Sequence, residues 1–213
     1  LQIFTLDEKG IAAAFFLLFL IFVFGKEIWY LFLFPLLLFL IFSWIVTNIG
    51  KEKKKKLGTF EKKRSIQNVF ANGAIPIVMI VFYYFTNNQI FILGYLGAVA
   101  AITSDKFSSE IGILNGTPRR IIDFKKVKKG ESGGITLLGS IAGTFASFLI
   151  SLTSFLFGVQ NKILLIFLAG VVGNIFDSLF GVFEEKGFGN KHTTNVLCSL
   201  FGSLFAIFCN QFI

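Results

Sequence analysis

The sequence holds one histidine, two cysteines and one methionine in 213 residues, and only 15% of its side chains are charged. Each scarcity excludes a class of chemistry. A single histidine cannot build a His-rich metal centre. His192 lies in a loop with no paired nucleophile, so neither a Ser-His-Asp nor a Cys-His arrangement is available. Cys198 and Cys209 fall in one apolar segment and read as small apolar residues rather than as a disulfide or a metal site. The low charge also argues against a soluble domain with a polar coat.

Apolar residues fill the place of the missing charge. With 54% hydrophobic residues, 30 of them Phe, and a mean hydropathy of +0.77, the chain reads as a polytopic membrane protein. The phenylalanines are expected to share the lipid-facing positions with leucine. Apolar runs at 11–24, 28–46, 66–85, 90–104, 135–157, 163–183 and 194–213 predict an all-α transmembrane bundle of about seven spans. The division expected is two auxiliary spans (1–47), a basic cytoplasmic linker (48–65), and a five-span catalytic bundle (66–213) with a basic cytoplasmic loop at 112–134.

Charge gives the orientation. The run Lys51-Glu52-Lys53-Lys54-Lys55-Lys56, closing with Lys62-Lys63-Arg64, reads as a cytoplasmic topogenic signal. Attraction to anionic lipid or to a nucleotide is a second reading of it. No motif supports nucleic acid. With that run inside, the N-terminus is cytoplasmic and, of the 20 Lys and Arg, only Lys26 and Lys162 fall outside. Asn68, Asn72, Asp105, Glu110, Gly133, Asn174, Asp177 and Asn195 then collect at one level, the cytoplasmic ends of spans three to seven. Packing alone gives polar groups no reason to share a depth.

The stretch 100–112 carries Asp105, Lys106, three serines and Glu110 directly after an apolar run. If the helix continues, Asp105 and Ser109 share a face with Ala101 and with Ala98 or Gly97, a small-residue stripe that turns Asp105 into the bundle. The plainer reading is that Asp105 and Glu110 mark where the helix leaves the bilayer. Asn68 and Asn72, one turn apart, are either packing amides or headgroup ligands. Gly139, Gly143, Ser147 and Ser151 recur every four residues and form a packing seam. Asn174 and Asp177, at i and i+3 inside a span, converge as an intramembrane functional pair. In the loop, Arg119, Arg120, Lys125, Lys126, Lys128 and Lys129 precede Gly130-Glu131-Ser132-Gly133-Gly134, a glycine-rich entry to a helix that could present backbone N–H groups to an anion. It is not a Walker sequence.

Carboxylates with amides suggest a hard divalent cation such as Mg2+, and neighbouring Arg and Lys suggest phosphate. Phosphoryl transfer needs positioning and charge neutralisation more than covalent help from the protein. A phosphate-monoester acceptor would need no general base. The competing reading is a small transporter or flippase for an anionic lipid or prenyl phosphate, with Asp105 and Asp177 as coupling-ion ligands. The one-sided placement of the polar groups tells against it.

Four pieces of sequence carry a resemblance: Gln67-Asn68-Val69 with Ala71-Asn72-Gly73; Ser104-Asp105 with Ser108-Ser109-Glu110-Ile111-Gly112; Val127 and Gly130 with Gly133-Gly134-Ile135-Thr136 and Gly139; and Gly170 with Asp177-Ser178-Leu179 and Gly181. From about Ser65 onward the chain resembles the membrane family catalogued as domain of unknown function 92, which includes plant phytyl-phosphate kinase. It departs from the family pattern at Lys106, Glu185 and Lys191-His192. The resemblance implies a kinase, with CTP the expected donor, that converts an isoprenyl monophosphate to a diphosphate. On that reading Asp105, Glu110 and Asp177 hold Mg2+. Asn68, Asn72, Asn174 and Asn195, with Ser104, Ser109 and Ser178, bind and orient phosphates. Arg119, Arg120, Lys125, Lys126 and Lys129 neutralise the donor triphosphate, and the Gly133 and Gly134 amides take a phosphate oxygen. The partners expected are a nucleoside triphosphate, a prenyl monophosphate and membrane lipid, with a homo-oligomer allowed for. A prokaryotic plasma membrane is the expected location, because no transit-peptide composition appears.

Overall fold

A computed structural model describes residues 6–60 and 65–212; Lys62, Lys63 and Arg64, which close the basic run, lie outside the described residues. Helices dominate: α1 (Glu8–Phe24), α2 (Trp29–Asn48), the short α3 (Lys51–Lys56), α4 (Ile66–Thr86), α5 (Ile90–Gly112), α6 (Leu137–Ser151), α7 (Ile163–Glu184) and α8 (Lys191–Phe208). Between α5 and α6, β1 (Arg119–Arg120) pairs antiparallel with β2 (Gly134–Ile135). Among the described residues, six helical passages are long and apolar enough to cross a membrane. α1, with 17 residues and a length of roughly 26 Å, is not one of the six. The chain is a multi-pass, all-α membrane protein, as its apolar runs predict.

The bundle is built around α5. From Ile92 to Ser104 every residue of it is buried, and α2, α4, α6, α7 and α8 all pack against it. A helix surrounded on every side cannot be amphipathic, and small residues let its neighbours come close. Gly97 is the clearest case: a Cβ there would lie 2.6 Å from the Gly202 carbonyl oxygen of α8. The seam of α6 does the same, since a Cβ on Gly139 would meet the Ser108 carbonyl oxygen at 2.6 Å and one on Gly143 the Ser104 carbonyl oxygen at 2.8 Å. Ser147 donates to the Phe167 carbonyl of α7 at 2.7 Å. Outward positions are held by large apolar side chains, Phe15, Phe19, Phe85 and Phe145 among them, which fits a lipid-facing role for phenylalanine.

The first two spans are joined to this core. Phe32 and Phe39 of α2 are buried in the cluster that contains Tyr95 and Ile102 of α5, and Tyr95 donates its hydroxyl proton to the Phe32 carbonyl. At one end of the bundle Lys26 donates to Asn87 at 2.7 Å and Lys162 to the Asn210 carbonyl at 2.9 Å. The ends of α2, α5 and α7 and the starts of α4, α6 and α8 meet at the other.

Gly97→Val is expected to destabilise the protein by about 1–3 kcal/mol, because the Gly202 backbone cannot retreat. Lipid-side Phe85→Leu should leave stability unchanged. Thermal unfolding in one detergent compares the two; an unchanged midpoint for Gly97→Val would remove the close approach as a source of stability.

Candidate functional site

The polar stretch after Ile102 does not leave the helix. α5 continues to Gly112, so Asp105 stands one turn beyond the buried Ala101. On α7, Gly173 lies against Ala101, with its missing Cβ also 2.6 Å from the Cys198 carbonyl oxygen. Both helices run toward the same end of the bundle. One turn on from the Ala101–Gly173 contact their carboxyl groups therefore meet: Asp105 and Asp177 lie within hydrogen-bonding reach of each other. Asp177 Oδ1 is buried with no hydrogen-bond partner among the described residues.

A polar cavity of about 390 Å³ opens beside this pair. Asn174, at i−3 from Asp177, donates to Ser108 Oγ at 2.7 Å, and Ser108 in turn donates to the Gly139 carbonyl at 3.0 Å. Ser109, Ser178 and Asn195 also line the cavity, as do Gly133, Gly134 and Lys129 of the loop. Asn72 accepts from Asn195 Nδ2 at 3.4 Å and donates to the Asn68 carbonyl at 2.8 Å, so the two expected amide positions on α4 join the one on α8. Asn68 and Asn72 line a neighbouring recess of about 80 Å³ that also reaches Asp105.

Several expected participants stand elsewhere. Glu110 is not brought to the Asp pair. It is five residues beyond Asp105, about 140° around the helix, and its oxygens are held by Lys54 at 2.7 Å, by Lys106, and by the Thr47 hydroxyl at 3.1 Å. Among the described residues no three His, Cys, Asp or Glu side chains are grouped to hold a metal. The expected three-carboxylate set thus reduces to two. Arg119 and Arg120 do not line the cavity: Arg119 donates to the Phe124 carbonyl at 3.1 Å, and Arg120 pairs with Asp123 and Glu131 at 3.4 and 3.6 Å. Lys125 pairs with Asp123 at 3.6 Å, and Lys126 is bridged by its backbone to Arg119. A two-strand ribbon turns these cations outward, and only Lys129 returns to the cavity. The Gly134 N–H is already given to the Glu131 carbonyl at 3.2 Å, so it is not a ready anion donor. Gly133, with φ +77°, instead lets the turn lie on α7, where a Cβ would meet the Ser178 carbonyl oxygen at 2.8 Å. Ser104 is buried behind the cavity rather than lining it.

Other participants were not among the expected site residues, although Lys191 was marked as a departure from the family pattern. Lys191 and Thr194 of α8 and Glu184 of α7 line the cavity, and Lys191 is close enough to both aspartates to act on them electrostatically. A lysine at the first residue of a helix opposes the helix dipole, and that mismatch was the available signal. Ser108 could have been found as the i+3 neighbour of Asp105. Lys54 had no signal, being one of five lysines in a run. Gly50, with φ +65°, turns the chain back so that α3 caps α2. Fully buried Lys54 donates to the Val46 and Thr47 carbonyls at 2.6 and 3.3 Å and to Glu110, using all three of its protons. Those carbonyls are the unpaired last-turn acceptors of α2. Lys53 likewise donates to the Leu114 carbonyl beyond α5.

Comparison with known proteins gives the chain its family. The family described as Integral membrane protein DUF92 matches residues 2–206. The chain belongs to this family. The match extends back across α1 and α2, beyond the expected start near Ser65. A DUF92-like relative in Methanocaldococcus jannaschii, "Uncharacterized membrane protein MJ0933", is 42% identical over 175 residues, covering 81% of this chain and 73% of the relative. In Arabidopsis thaliana, "Protein PGR" is 31% identical over 68% of this chain and "Protein VTE6, chloroplastic" 30% identical over 78%. The matched segments make up 62% and 55% of those two plant proteins. No solved structure matches the chain.

Lys54→Met leaves Glu110 short of a buried counter-charge and is expected to cost about 3 kcal/mol. Exposed Lys56→Met should cost under about 0.5 kcal/mol. Chemical unfolding of the two variants decides between them; equal effects would return Lys54 to the role of one topogenic charge among several.

Proposed function

We propose that this chain is a membrane-embedded, nucleotide-dependent kinase that converts an isoprenyl monophosphate to the diphosphate at the cytoplasmic surface of the membrane. The observation that carries the reading is the Asp105–Asp177 pair at the wall of a polar cavity in an otherwise apolar bundle. Two carboxylates in contact need a proton or a cation between them. The partnerless Asp177 Oδ1 and the all-oxygen donor set suit Mg2+, which Asp105 and Asp177 would hold without Glu110. Bound there, the cation would neutralise charge on the donor phosphates. Family membership supports the substrate class, because the family includes a plant phytyl-phosphate kinase, and CTP is the donor that resemblance suggests.

The reaction asks little else of the protein. An oxygen of the acceptor monophosphate attacks the γ-phosphorus of the nucleoside triphosphate. The bond from that phosphorus to the β–γ bridging oxygen breaks, and the nucleoside diphosphate leaves with the electron pair. The acceptor's second ionisation lies near pH 6, as for other phosphate monoesters, so no general base is required. Asn68, Asn72, Asn174 and Asn195 orient phosphate oxygens, with Ser109 and Ser178 as further donors. Lys129 and Lys191 offset the added negative charge. Positioning and electrostatics together carry such transfers.

Purified protein incubated with Mg2+, γ-labelled CTP or ATP and a panel of prenyl monophosphates should yield labelled prenyl diphosphate, and EDTA should stop the transfer. Asp105→Asn and Asp177→Asn should each lower turnover by about a hundredfold or more while the protein still unfolds cooperatively. Full activity in both variants would sink the assignment of the pair.

A further inference from the structure

Asp105 stands in the wall of two chambers. The larger, about 390 Å³, lies between the Gly133 turn and helices α5 to α8; the smaller, about 80 Å³, lies among α2, α4, α5 and α8. Their charge differs. Around the larger, Asp105, Glu131, Asp177 and Glu184 outnumber Lys129 and Lys191. Around the smaller, Lys106 and Lys191 balance Asp105 and Glu110, and three amide side chains, Asn68, Asn72 and Asn195, are part of the lining. An anion enters an acidic chamber only in company with cations, whereas a balanced chamber rich in amides can take it bare. Size separates the two in the same sense. Pockets for whole small molecules run from about 300 to 1,000 Å³, a range that includes the larger chamber; the smaller has room for a single phosphate group. The smaller chamber also has an apolar wall. Phe39 and Ile102, both buried in the helix bundle, form it.

Building on the kinase reading, we propose that the two substrates are divided between these chambers. The larger takes the donor nucleotide with its divalent cation. The smaller takes the metal-free phosphate head of the isoprenyl acceptor, held by Asn68, Lys106 and Lys191, with the hydrocarbon chain passing Phe39 toward the lipid. Asp105 marks the boundary at which the acceptor oxygen meets the γ-phosphorus. The second span then takes part in substrate recognition through Phe39 of α2.

The test is calorimetric binding in detergent. Farnesyl monophosphate should bind in the presence of EDTA. Asn68→Ala should weaken it about tenfold, the loss of one hydrogen bond to a charged group, and Lys129→Met should not. CTP should bind only with Mg2+, weakened by Lys129→Met and untouched by Asn68→Ala. Overturning results are a Mg2+ requirement for farnesyl monophosphate, equal losses of both ligands in one variant, a crossed pattern, or no farnesyl monophosphate binding by protein that melts cooperatively. Phe39→Trp should raise KM for the prenyl monophosphate and leave KM for CTP unchanged; the reverse split overturns the placement of the chain. Label transfer run alongside separates the two ideas. The expected binding pattern without transfer refutes the kinase reading and leaves the divided site standing, whereas transfer with a crossed pattern refutes the division alone.

Discussion

Close backbone approach around α5 is the constraint from which the rest of this structure follows. Inside a bilayer, lipid tails are as apolar as leucine, so helices gain nothing from hiding apolar surface against one another and must associate through intimate contact. Gly97 against Gly202, Ala101 against Gly173, and Gly139 and Gly143 against the Ser108 and Ser104 carbonyls supply it on three sides of one helix. Contacts of this kind set rotation and depth together. Since α5 and α7 point the same way, the Ala101–Gly173 contact dictates that Asp105 and Asp177, four residues further along each helix, face one another. The carboxyl pair is thus a geometric consequence of a packing seam.

A second set of interactions holds the polar end together. Helix ends leave carbonyl groups without partners, and at the margin of a membrane water is not dependably at hand to satisfy them. Lys54 answers the end of α2, Lys53 the segment after α5, and Glu110 ties Lys54 to Lys106 on α5. This clasp fixes the part of the smaller chamber's wall that Lys106 and Glu110 supply. On the opposite flank, Glu185 accepts from the Ser132 N–H at 2.8 Å and the Gly133 turn rests on α7, so the loop closes over the cavity as a defined ribbon. Of the three departures from the family pattern, Lys106 and Glu185 serve these contacts and Lys191 lines both chambers.

Much of the arrangement was legible in the chain itself, for reasons that can be named. The seam at Gly139, Gly143 and Ser147 was visible because small residues every four positions have one common explanation in a span. Asn174 and Asp177 were visible because ionisable and amide groups are costly at that depth. The loop cations were misplaced because sequence proximity says nothing of which way a ribbon turns: Asp123 and Glu131, two acidic residues among six basic ones, draw Arg120 and Lys125 into local pairs. Glu110 was misplaced for a related reason, its partner Lys54 lying 56 positions away among identical neighbours.

By itself the sequence determined the solvent, the helical class, the number of passages within one, and the level at which polar groups gather. Those properties depend on apolar length, charge balance and i, i+4 spacing, all of which are local. Only the tertiary structure decided which carboxylates meet, which lysine is buried, and that the polar end is split into two chambers. Each of these depends on the rotation of one helix against another, and rotation is set by contacts between residues far apart in the chain.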